Sequence, residues 1–219
     1  MSKSIILMSG GLDSVVALGY CKKMTNYNID LALTFDYGQK SNQSEIIASK
    51  KICEYYGVKH EIIKLDWLKS ITKTSLVNND KELESSATDV NSLWVPNRNA
   101  LFLNIAACYC DSFAYKYIIY GANKDEAKTF PDNTEDFRLQ VSKCFQTSTL
   151  IKPVVIAPLI NYSKNDIVRI AVEHSIPLDY VKSCYNTGDK NCGECESCRH
   201  LISALKANNC VEYINILFK

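Results

Sequence analysis

The sequence SGGLDS, at residues 9–14, lies between a run of apolar residues and a pattern typical of an α-helix. Residues 5–8 (IILM) predict a buried β-strand, and the apolar residues VVAL at 15–18 begin the helical pattern. Two adjacent glycines let the backbone approach an anion closely, and the N–H groups at the start of a helix supply donors and partial positive charge. We therefore predict a strand, a phosphate-binding loop and a helix in that order, which constrains the chain to an α/β fold. The predicted phosphate-binding residues are Ser9, Gly10, Gly11, Leu12, Asp13 and Ser14.

This loop is not a Walker A motif, because it has neither the spacing nor the lysine of G-x-x-x-x-G-K-[ST]. It resembles the pyrophosphate loop, or PP-loop, of the ATP pyrophosphatases, which cleave ATP between the α- and β-phosphates and pass AMP to an acceptor oxygen. A strand–turn–helix corner that needs glycine only for its backbone shape is the alternative interpretation. The six matching residues in this context favour phosphate binding.

Predicted strands and helices alternate along the chain, as they do in doubly wound α/β proteins. The predicted strands are 4–8, 29–35, 59–65, 117–120 and 154–157, and the predicted helices are 13–25, 41–56, 97–115, 135–150 and 163–174. Crossover helices between consecutive strands imply a mostly parallel sheet that is covered on both faces. Ligands of such sheets bind beyond the carboxyl ends of the strands, where residues 9–14, residues 37–39 and Gly121 lie.

Four cysteines occur within fifteen residues near the end of the sequence, three of them in overlapping C-x-x-C steps. This spacing lets thiolates converge on one tetrahedral ion, so we predict a zinc site. An iron–sulfur cluster, a disulfide pair and four unrelated thiols are the alternatives that the spacing leaves open. A closed set of four cysteines has no vacant position for a substrate, which predicts a structural role. The predicted metal ligands are Cys184, Cys192, Cys195 and Cys198.

Two domains follow from this arrangement. We predict a nucleotide-binding and catalytic domain at residues 1–178 and a small zinc-binding subdomain at residues 179–219. Residues 69–93 are rich in Ser, Thr, Asn and acidic residues without a clear period, which predicts a long mobile loop with at most one helical turn. Loops of this kind often close over a site.

The net charge of the chain and the length of its apolar runs indicate which classes of partner and which cellular location to expect. Because the formal net charge of the 219 residues is +1, neither nucleic acid nor a membrane surface is the expected partner. No apolar run reaches the length of a signal sequence or a membrane span, which predicts a cytoplasmic protein. In that reducing compartment, the ten cysteines are expected as thiols, metal ligands or catalytic groups rather than disulfides.

Several further motifs occur in a family order that covers nearly the whole chain. They are FDYGQ at 35–39, VPNRN at 95–99, Gly121 followed by Pro131 and Asp132, Pro158 followed by Lys164 and Asp166, and SCYN at 183–186 leading to CGECESC. Together with SGGLDS, they resemble the QueC family of 7-cyano-7-deazaguanine synthases. The resemblance implies a PP-loop fold of the adenine-nucleotide α-hydrolase type and a zinc-bearing homodimer.

The resemblance also implies the reaction. The family uses ATP and Mg²⁺ to adenylate 7-carboxy-7-deazaguanine, forms the amide with ammonia, and adenylates the amide oxygen again before AMP leaves to give the nitrile. In this interpretation Asp13, Arg98 and Lys164 are the candidate catalytic residues. Tyr37 and Gln39 are expected to line the adenosine pocket. The candidate substrate-binding residues are Arg98, Asn99, Gly121, Phe130 and Asp132.

The sequence departs from the family pattern in two segments. Where the family usually has SGYPDCR, residues 128–134 are KTFPDNT, and VPGRN is replaced by VPNRN at residues 95–99. These segments are expected to face the deazapurine, so we expect adenylation to be retained. The choice of acceptor and the second dehydrating step are the parts of the reaction that we expect these changes to affect. The alternative within the enzyme class is a ligase that stops at the amide or joins the deazaguanine to another amine, such as a protein N-terminus.

Two alternatives belong to other classes. A tRNA-thiolating enzyme also combines a pyrophosphate loop with cysteines, but it needs exposed reactive cysteines and a basic RNA-binding surface. The net charge and the closed cysteine set argue against that function. An inactive zinc module that serves in protein interaction is the other alternative, and the intact SGGLDS argues against it.

Overall fold

A computed structural model describes residues 2–77 and 93–219. The five strands of these residues are β1 (Lys3–Leu7), β2 (Asn28–Asp36), β3 (Lys59–Lys64), β4 (Tyr117–Ile119) and β5 (Val154–Ile156). The α-helices are α1 (Leu12–Met24), α2 (Asn42–Tyr56), α3 (Asp66–Ile71), α4 (Arg98–Phe113), α5 (Glu135–Ser148), α6 (Lys164–Glu173), α7 (Glu196–Ala207) and α8 (Val211–Leu217). Two 3₁₀ turns, Glu126–Lys128 and Pro131–Asn133, lie between β4 and α5.

All five strands pair in parallel, in the order β3-β2-β1-β4-β5. The chain moves outward from β1 to β2 and β3, then returns to the other side of β1 with β4 and β5. This reversal confirms the predicted doubly wound α/β fold. The loops that follow β1 and β4 therefore border one crevice at the switch point, where such sheets bind their ligands.

The apolar core has one part on each face of the sheet. In β1, Ile6 packs with helices α1, α6 and α7, whereas Ile5 packs with α4 and with Phe145 of α5. Both isoleucines are fully buried. Adjacent residues of a strand face opposite sides, so a continuous apolar run is the pattern of a strand that is covered on both faces.

The cysteine-rich segment packs on the same core as the phosphate-binding loop. Cys184, Cys198 and Leu201 belong to the apolar cluster that includes Leu12 and Val15 of α1. A boundary at residue 178 stays a prediction, and side chains from both sides of it share this cluster. The segment is therefore held against the loop side of the sheet.

The predicted mobile loop at 69–93 lies mostly outside the described residues. Its first three residues continue α3, which ends at Ile71. Within the described part of the chain, no helix is both long and apolar enough to cross a lipid bilayer.

A capping box fixes the start of α6, the helix that carries Lys164. The Ser163 hydroxyl accepts a hydrogen bond from the Asp166 amide at 3.2 Å, and the Asp166 carboxylate accepts one from the Ser163 amide at 3.1 Å. The hydrogen bonds from Ser163 and Arg169 lower the pKa of Asp166 to about 2. The cap thus holds the first turn of α6 in place at neutral pH.

We expect Ser163→Ala to lower the free energy of unfolding by about 1 kcal/mol, because it leaves a first-turn N–H group of α6 without its acceptor. Denaturant titration followed by circular dichroism measures this loss. Ser163→Thr, which keeps the hydroxyl, should retain most of the stability. Equal unfolding midpoints for wild type and Ser163→Ala would contradict the prediction.

Candidate functional site

A cavity of about 230 Å³ opens at the carboxyl ends of the central strands. Its floor is the loop after β1, one wall is formed by aromatic residues at the end of β2, and the other by residues that follow β4. Of the predicted site residues, this cavity is lined by Ser9, Gly11, Leu12, Asp13, Ser14, Tyr37, Arg98, Asn99, Gly121 and Lys164. Most of the site residues predicted from the sequence therefore lie around one cavity.

The shape of the phosphate-binding loop depends on glycine at two points. Gly10 has a φ of 70°, and a Cβ there would lie 2.6 Å from the Cβ of Ala48. Gly121, across the crevice, approaches so closely that a Cβ would lie 2.8 Å from the backbone N of Ser14. Side chains at either position would push the loop from its place, so the backbone itself forms the floor of the cavity.

A partly buried ion cluster lies beside the loop at residues 9–14. The Lys164 ammonium donates to the Asp13 carboxylate at 2.7 Å and to the Glu126 carboxylate at 2.7 Å. Burial opposes the charge of Lys164, but the two carboxylates raise its pKa, so it stays cationic. Burial likewise opposes the charge of Glu126, and Lys164 lowers its pKa overall. The cluster brings a fixed positive charge to the edge of the loop that is predicted to bind phosphate.

One oxygen of this cluster lacks a partner. Asp13 Oδ1 is buried, and among the described residues nothing forms a hydrogen bond with it. Burial raises the pKa of Asp13, Lys164 opposes this, and Glu126 raises it further. Two carboxylates share a single ammonium, so the cluster has capacity for a second cation. Carboxylate oxygens beside phosphates are the ligands that Mg²⁺ prefers, and Asp13 and Glu126 fit that ion.

Arg98 lies at the opposite wall, against Tyr37. Its guanidinium donates to the Tyr37 hydroxyl at 3.1 Å and stands 6.0 Å from the centroid of that ring. Burial works against the charge of Arg98, but Tyr37, Asp132 and Glu45 raise its pKa. Behind Tyr37, the Phe35 and Phe102 rings are stacked with centroids 4.0 Å apart. The wall combines flat apolar surface with one fixed cation.

Residue 97, where the family usually has glycine, is an asparagine in the left-handed region with a φ of 53°. Asparagine tolerates this conformation better than other residues with a side chain. The asparagine that replaces glycine in VPNRN therefore keeps the backbone turn at the start of α4. Arg98, the next residue, lines the cavity.

Gln39 has a different position from the one expected. Its amide oxygen accepts from the Tyr37 amide at 3.0 Å, and its nitrogen donates to the Phe35 carbonyl at 3.0 Å and to Glu45 at 2.9 Å. The side chain is 4% exposed and does not line the described cavity. It holds the turn that presents Tyr37, and its contact with adenosine stays a prediction. Gly10 likewise supports the loop from behind.

A second, smaller space of about 60 Å³ adjoins the first and shares Arg98 and Glu126 with it. Phe130 and Asp132, predicted to bind substrate, line this space rather than the larger one. The Trp94 and Phe130 rings are nearly parallel, with centroids 6.1 Å apart. Flat apolar faces beside one carboxylate suit a planar heterocycle with N–H groups.

Asp132 is buried and held by asparagines. The side-chain nitrogen of Asn133 donates to the Asp132 carboxylate at 3.1 Å. The side-chain nitrogen of Asn99 donates to the backbone carbonyl of Asp132 at 3.4 Å. Burial raises the pKa of Asp132, and Arg98 opposes the rise. Asn133 thus orients the carboxylate, and Asn99 holds the backbone of Asp132 at the smaller space.

The four predicted metal ligands converge, with all their sulfur atoms within 4.8 Å of one another. The sulfurs of Cys192 and Cys198 are 3.8 Å apart. A tetrahedron with Zn–S bonds of about 2.3 Å has edges of about 3.8 Å, whereas a cluster of several irons would hold the sulfurs farther apart. Backbone amides of Asn186 and Cys195 point at sulfur at 3.4 Å, as they do around thiolate ligands. The donor set fits a single zinc ion.

The cysteine segment and the phosphate-binding loop are joined by hydrogen bonds. The Lys182 amide donates to the Gly10 carbonyl at 2.8 Å, and the Leu12 amide donates to the Ser183 hydroxyl at 3.4 Å. Asn191 in turn accepts from the Ser183 and Cys184 amides at 3.2 and 3.1 Å. A metal on these cysteines would therefore fix one side of the loop.

Sequence reasoning missed several residues that line the cavity. Glu126 pairs with Lys164, Tyr185 borders both spaces, and Glu45 is a partly buried carboxylate that accepts from Ser41 and Gln39. Burial raises the pKa of Glu45. The position of Glu126, five residues after Gly121 in a loop expected at the ligand edge, was a usable signal. Tyr185 lies within the SCYN motif at residues 183–186, which was a usable signal, whereas nothing local separates Glu45 from an ordinary residue in the first turn of a helix.

Comparison with known proteins shows the family to which the chain belongs. The sequence profile of the family described as queuosine biosynthesis protein QueC matches residues 3–209. The chain is 48% identical to the 7-cyano-7-deazaguanine synthase of Carboxydothermus hydrogenoformans, over 95% of this chain and 100% of that protein. It is 44% identical to the synthase of Methanosarcina barkeri, over 93% of this chain and 94% of that one.

Solved structures with a similar fold include two enzymes of low identity. The U34-tRNA thiolase NcsA of Methanococcus maripaludis, with its [4Fe-4S] cluster, has a TM-score of 0.53 and 17% identity, over 99% of this chain and 70% of that one. The NMN synthetase of Francisella tularensis has a TM-score of 0.52 and 15% identity, over 97% of this chain and 82% of that one. At these identities the likeness supports the fold alone.

Proposed function

The chain belongs to the QueC family of queuosine biosynthesis proteins, and from this we propose that it is an ATP-dependent 7-cyano-7-deazaguanine synthase. It adenylates 7-carboxy-7-deazaguanine and forms the nitrile with ammonia by way of the amide. The observation that carries the chemistry is the partly buried cluster of Lys164, Asp13 and Glu126 at the edge of the phosphate-binding loop. ATP and the two other substrates are the small-molecule partners.

The first step activates a poor acyl donor. An oxygen of the 7-carboxylate attacks the α-phosphorus of ATP, the bond to the bridging oxygen breaks, and pyrophosphate leaves. The backbone of the loop binds the departing phosphates, and Lys164 stabilises the charge that develops on them. Mg²⁺, when bound by Asp13 and Glu126, neutralises further phosphate charge. Arg98 is placed to orient the carboxylate.

Two further steps produce the nitrile. Ammonia attacks the activated carbonyl carbon, AMP leaves, and a proton is lost to give the amide. The amide oxygen then attacks the α-phosphorus of a second ATP, pyrophosphate leaves again, and loss of AMP and protons from the adenylated amide forms the C≡N bond. In this scheme the residues bind, orient and stabilise charge, and no enzyme nucleophile is required.

The acceptor site in this proposal is the smaller space. The N–H edge of the deazaguanine pairs with Asp132, and its ring lies against Phe130 and Trp94. Asn99 and Gly121 complete the region between base and phosphates, which places the 7-substituent near Arg98. Tyr37 provides the aromatic surface for adenosine on the β2 side of the larger cavity.

The zinc ion, held by the four cysteines, has a structural role in this proposal. A homodimer and a cytoplasmic location also belong to it. The two alternative outcomes within the enzyme class, an amide product and an amine conjugate, are not favoured, because relatives that match almost end to end are named synthases. The thiolating enzyme and the inactive zinc module are not favoured for the same reason.

We expect the purified protein to form two AMP and two pyrophosphate for each nitrile when 7-carboxy-7-deazaguanine, ammonia and excess ATP are supplied. Liquid chromatography with mass spectrometry measures nucleotides and deazaguanine products in one incubation. One AMP for each amide, with no nitrile at long times, would identify an amide-forming ligase. ADP as the direct nucleotide product would contradict the proposal altogether.

A further inference from the structure

Polar side chains surround the junction of the larger cavity with the smaller space. The described residues that line both are Arg98, Glu126, Asn133 and Tyr185. In the proposed reaction the deazaguanine acid lies in the smaller space and the phosphates lie in the larger cavity, so the acyl carbon reacts at this junction. The hydrogen-bonding atoms that are still open there indicate what else the junction can bind.

The two charged residues of the junction already have partners. Arg98 carries donors only, and it donates to the Tyr37 hydroxyl. Glu126 accepts from the Lys164 ammonium at 2.7 Å. Arg98 can therefore serve the substrate carboxylate and the phosphates, which accept hydrogen bonds, whereas Glu126 balances the charge of Lys164.

Asn133 has one unused acceptor at the junction. Its side-chain nitrogen donates to the Asp132 carboxylate at 3.1 Å. Because a carboxylate accepts hydrogen bonds, the side-chain amide must face Asp132 with its nitrogen, which leaves Oδ1 as its open atom. The residue is 5% exposed, and its backbone amide donates to the Phe130 carbonyl at 3.1 Å. Oδ1 accepts no hydrogen bond from the part of the chain that the structure describes, and it is not among the fully enclosed polar atoms.

Tyr185 has an unpaired hydroxyl at the same junction. Its ring packs against the apolar clusters of both sheet faces. The amides on either side are held, since the Cys184 amide donates to Asn191 at 3.1 Å and the Asn186 amide donates to the Cys184 sulfur at 3.4 Å. Within residues 2–77 and 93–219 the hydroxyl has no hydrogen-bond partner, and it too keeps accessible surface. A hydroxyl can accept a hydrogen bond as well as donate one.

We infer that Asn133 Oδ1 and the Tyr185 hydroxyl bind the ammonia that attacks the activated acid. This inference rests on the proposed function. In that proposal the phosphates and the carboxylate have no hydrogen to donate to Asn133 Oδ1, and the N–H edge of the deazaguanine is paired with Asp132. Ammonia is the reactant that still needs acceptors. Hydrogen bonds to two of its N–H groups leave the nitrogen lone pair free to attack the acyl carbon.

Two assays separate ammonia binding from adenylation. Exchange of labelled pyrophosphate into ATP, with the acid present and ammonia absent, depends on the nucleotide and the acid alone. The steady-state KM for ammonium, with ATP and the acid saturating, depends on the nitrogen nucleophile. We expect Tyr185→Phe to raise the KM for ammonium roughly fivefold, because it removes one hydrogen bond, and to exchange pyrophosphate at the wild-type rate.

Asn133→Ala gives a second, independent measurement. It should raise the KM for ammonium by a similar factor, because it removes the other acceptor. It should also raise the KM for the acid, since Asp132 loses the donor that orients it. The two variants are therefore expected to agree for ammonium and to differ for the acid, a result that a purely structural role would not produce.

Tyr56→Phe and Asn208→Ala are the matched controls. The Tyr56 hydroxyl is buried without a partner among the described residues, and the Asn208 side chain donates to the Asn165 and Ala204 carbonyls. Neither residue lines the two described cavities. Both variants should match wild type in pyrophosphate exchange and in the KM for ammonium. Thermal unfolding verifies that all four variants are folded.

Each other result overturns the inference in a distinguishable way. An unchanged KM for ammonium in folded Tyr185→Phe and Asn133→Ala refutes the ammonia site and leaves the proposed function intact. Slower exchange in Tyr185→Phe assigns its hydroxyl to the nucleotide or the acid. A rise in the KM for the acid alone in Asn133→Ala means that this amide acts only through Asp132. If wild-type protein neither exchanges pyrophosphate nor forms product, the proposed function fails, and the inference fails with it.

Discussion

Lys164→Gln should reduce kcat for pyrophosphate release by about a thousandfold, because a single preorganised donor to developing charge contributes on the order of 10²–10³ and the ammonium here also carries the positive charge. The substitution also leaves Asp13 and Glu126 facing each other without a counterion. Because the cluster is only partly buried, the free energy of unfolding should fall as well, but by less than the roughly 3–5 kcal/mol that a fully buried pair loses with one partner. Release of pyrophosphate in a coupled assay and denaturant titration measure the two effects separately.

Two variants separate lost charge from lost stability. Lys164→Arg keeps the cation and should retain the fold with partial activity. Lys23→Ala removes a lysine of α1 that donates to the His174 and Ser175 carbonyls, far from the phosphates, and should leave kcat unchanged. If Lys164→Gln, verified as folded, released pyrophosphate at the wild-type rate, the ion cluster would have no part in adenylation.

Cys195→Ser should abolish stoichiometric zinc binding and lower the free energy of unfolding by roughly 4 kcal/mol, because metal bound only by the folded state contributes its binding energy to folding. The loss should extend to ATP binding, since the cysteine segment holds Gly10 and Leu12 through Lys182 and Ser183. Elemental analysis by mass spectrometry gives the metal content, and thermal unfolding gives the stability.

The matched control is Cys144→Ser, which changes an exposed thiol on α5 and should alter neither zinc content nor stability. A wild-type protein that is stable without metal, or one that contains iron with visible absorbance, would refute the zinc assignment. A strong chelator should reproduce the effect of Cys195→Ser on wild type and have no effect on that variant.

Strands β1 and β2 were predictable because most of their side chains are buried. Residues of β1 and β2 are buried on both faces, so an apolar run was a sufficient signal. The edge strand β3 is partly exposed, and its start was marked instead by Gly57, which ends α2 in the left-handed region with a φ of 63°. Local pattern and backbone chemistry were enough at these positions.

The helices of the cysteine segment were not predicted, although a signal was present. In α7, Cys198, Leu201 and Leu205 are buried at helical spacing. Cys198 is a predicted metal ligand. It was therefore interpreted as part of the cysteine motif and not as the first apolar residue of a helix. A residue can serve both patterns when a metal site forms part of the core.

The arrangement of the site was only partly predictable. Motif spacing brought Asp13, Lys164 and Arg98 to the same crevice, because the carboxyl ends of parallel strands meet there. The position of Glu126 shortly after Gly121 indicated the crevice, but its pairing with Lys164 depends on how the segment after β4 folds back, and no short-range pattern encodes that path. Gln39 is a motif residue, and its side chain forms hydrogen bonds that hold the turn after β2.

The hydrogen bond between Leu12 and Ser183 joins residues 171 positions apart in the chain. A ribosome that adds about 5–20 residues per second needs roughly 10–30 s to make that interval. During this time the nascent chain has its glycine loop but not the segment that completes it. A nascent chain that has not reached Ser183 therefore has the glycine loop without the hydroxyl that accepts from the Leu12 amide in the complete protein.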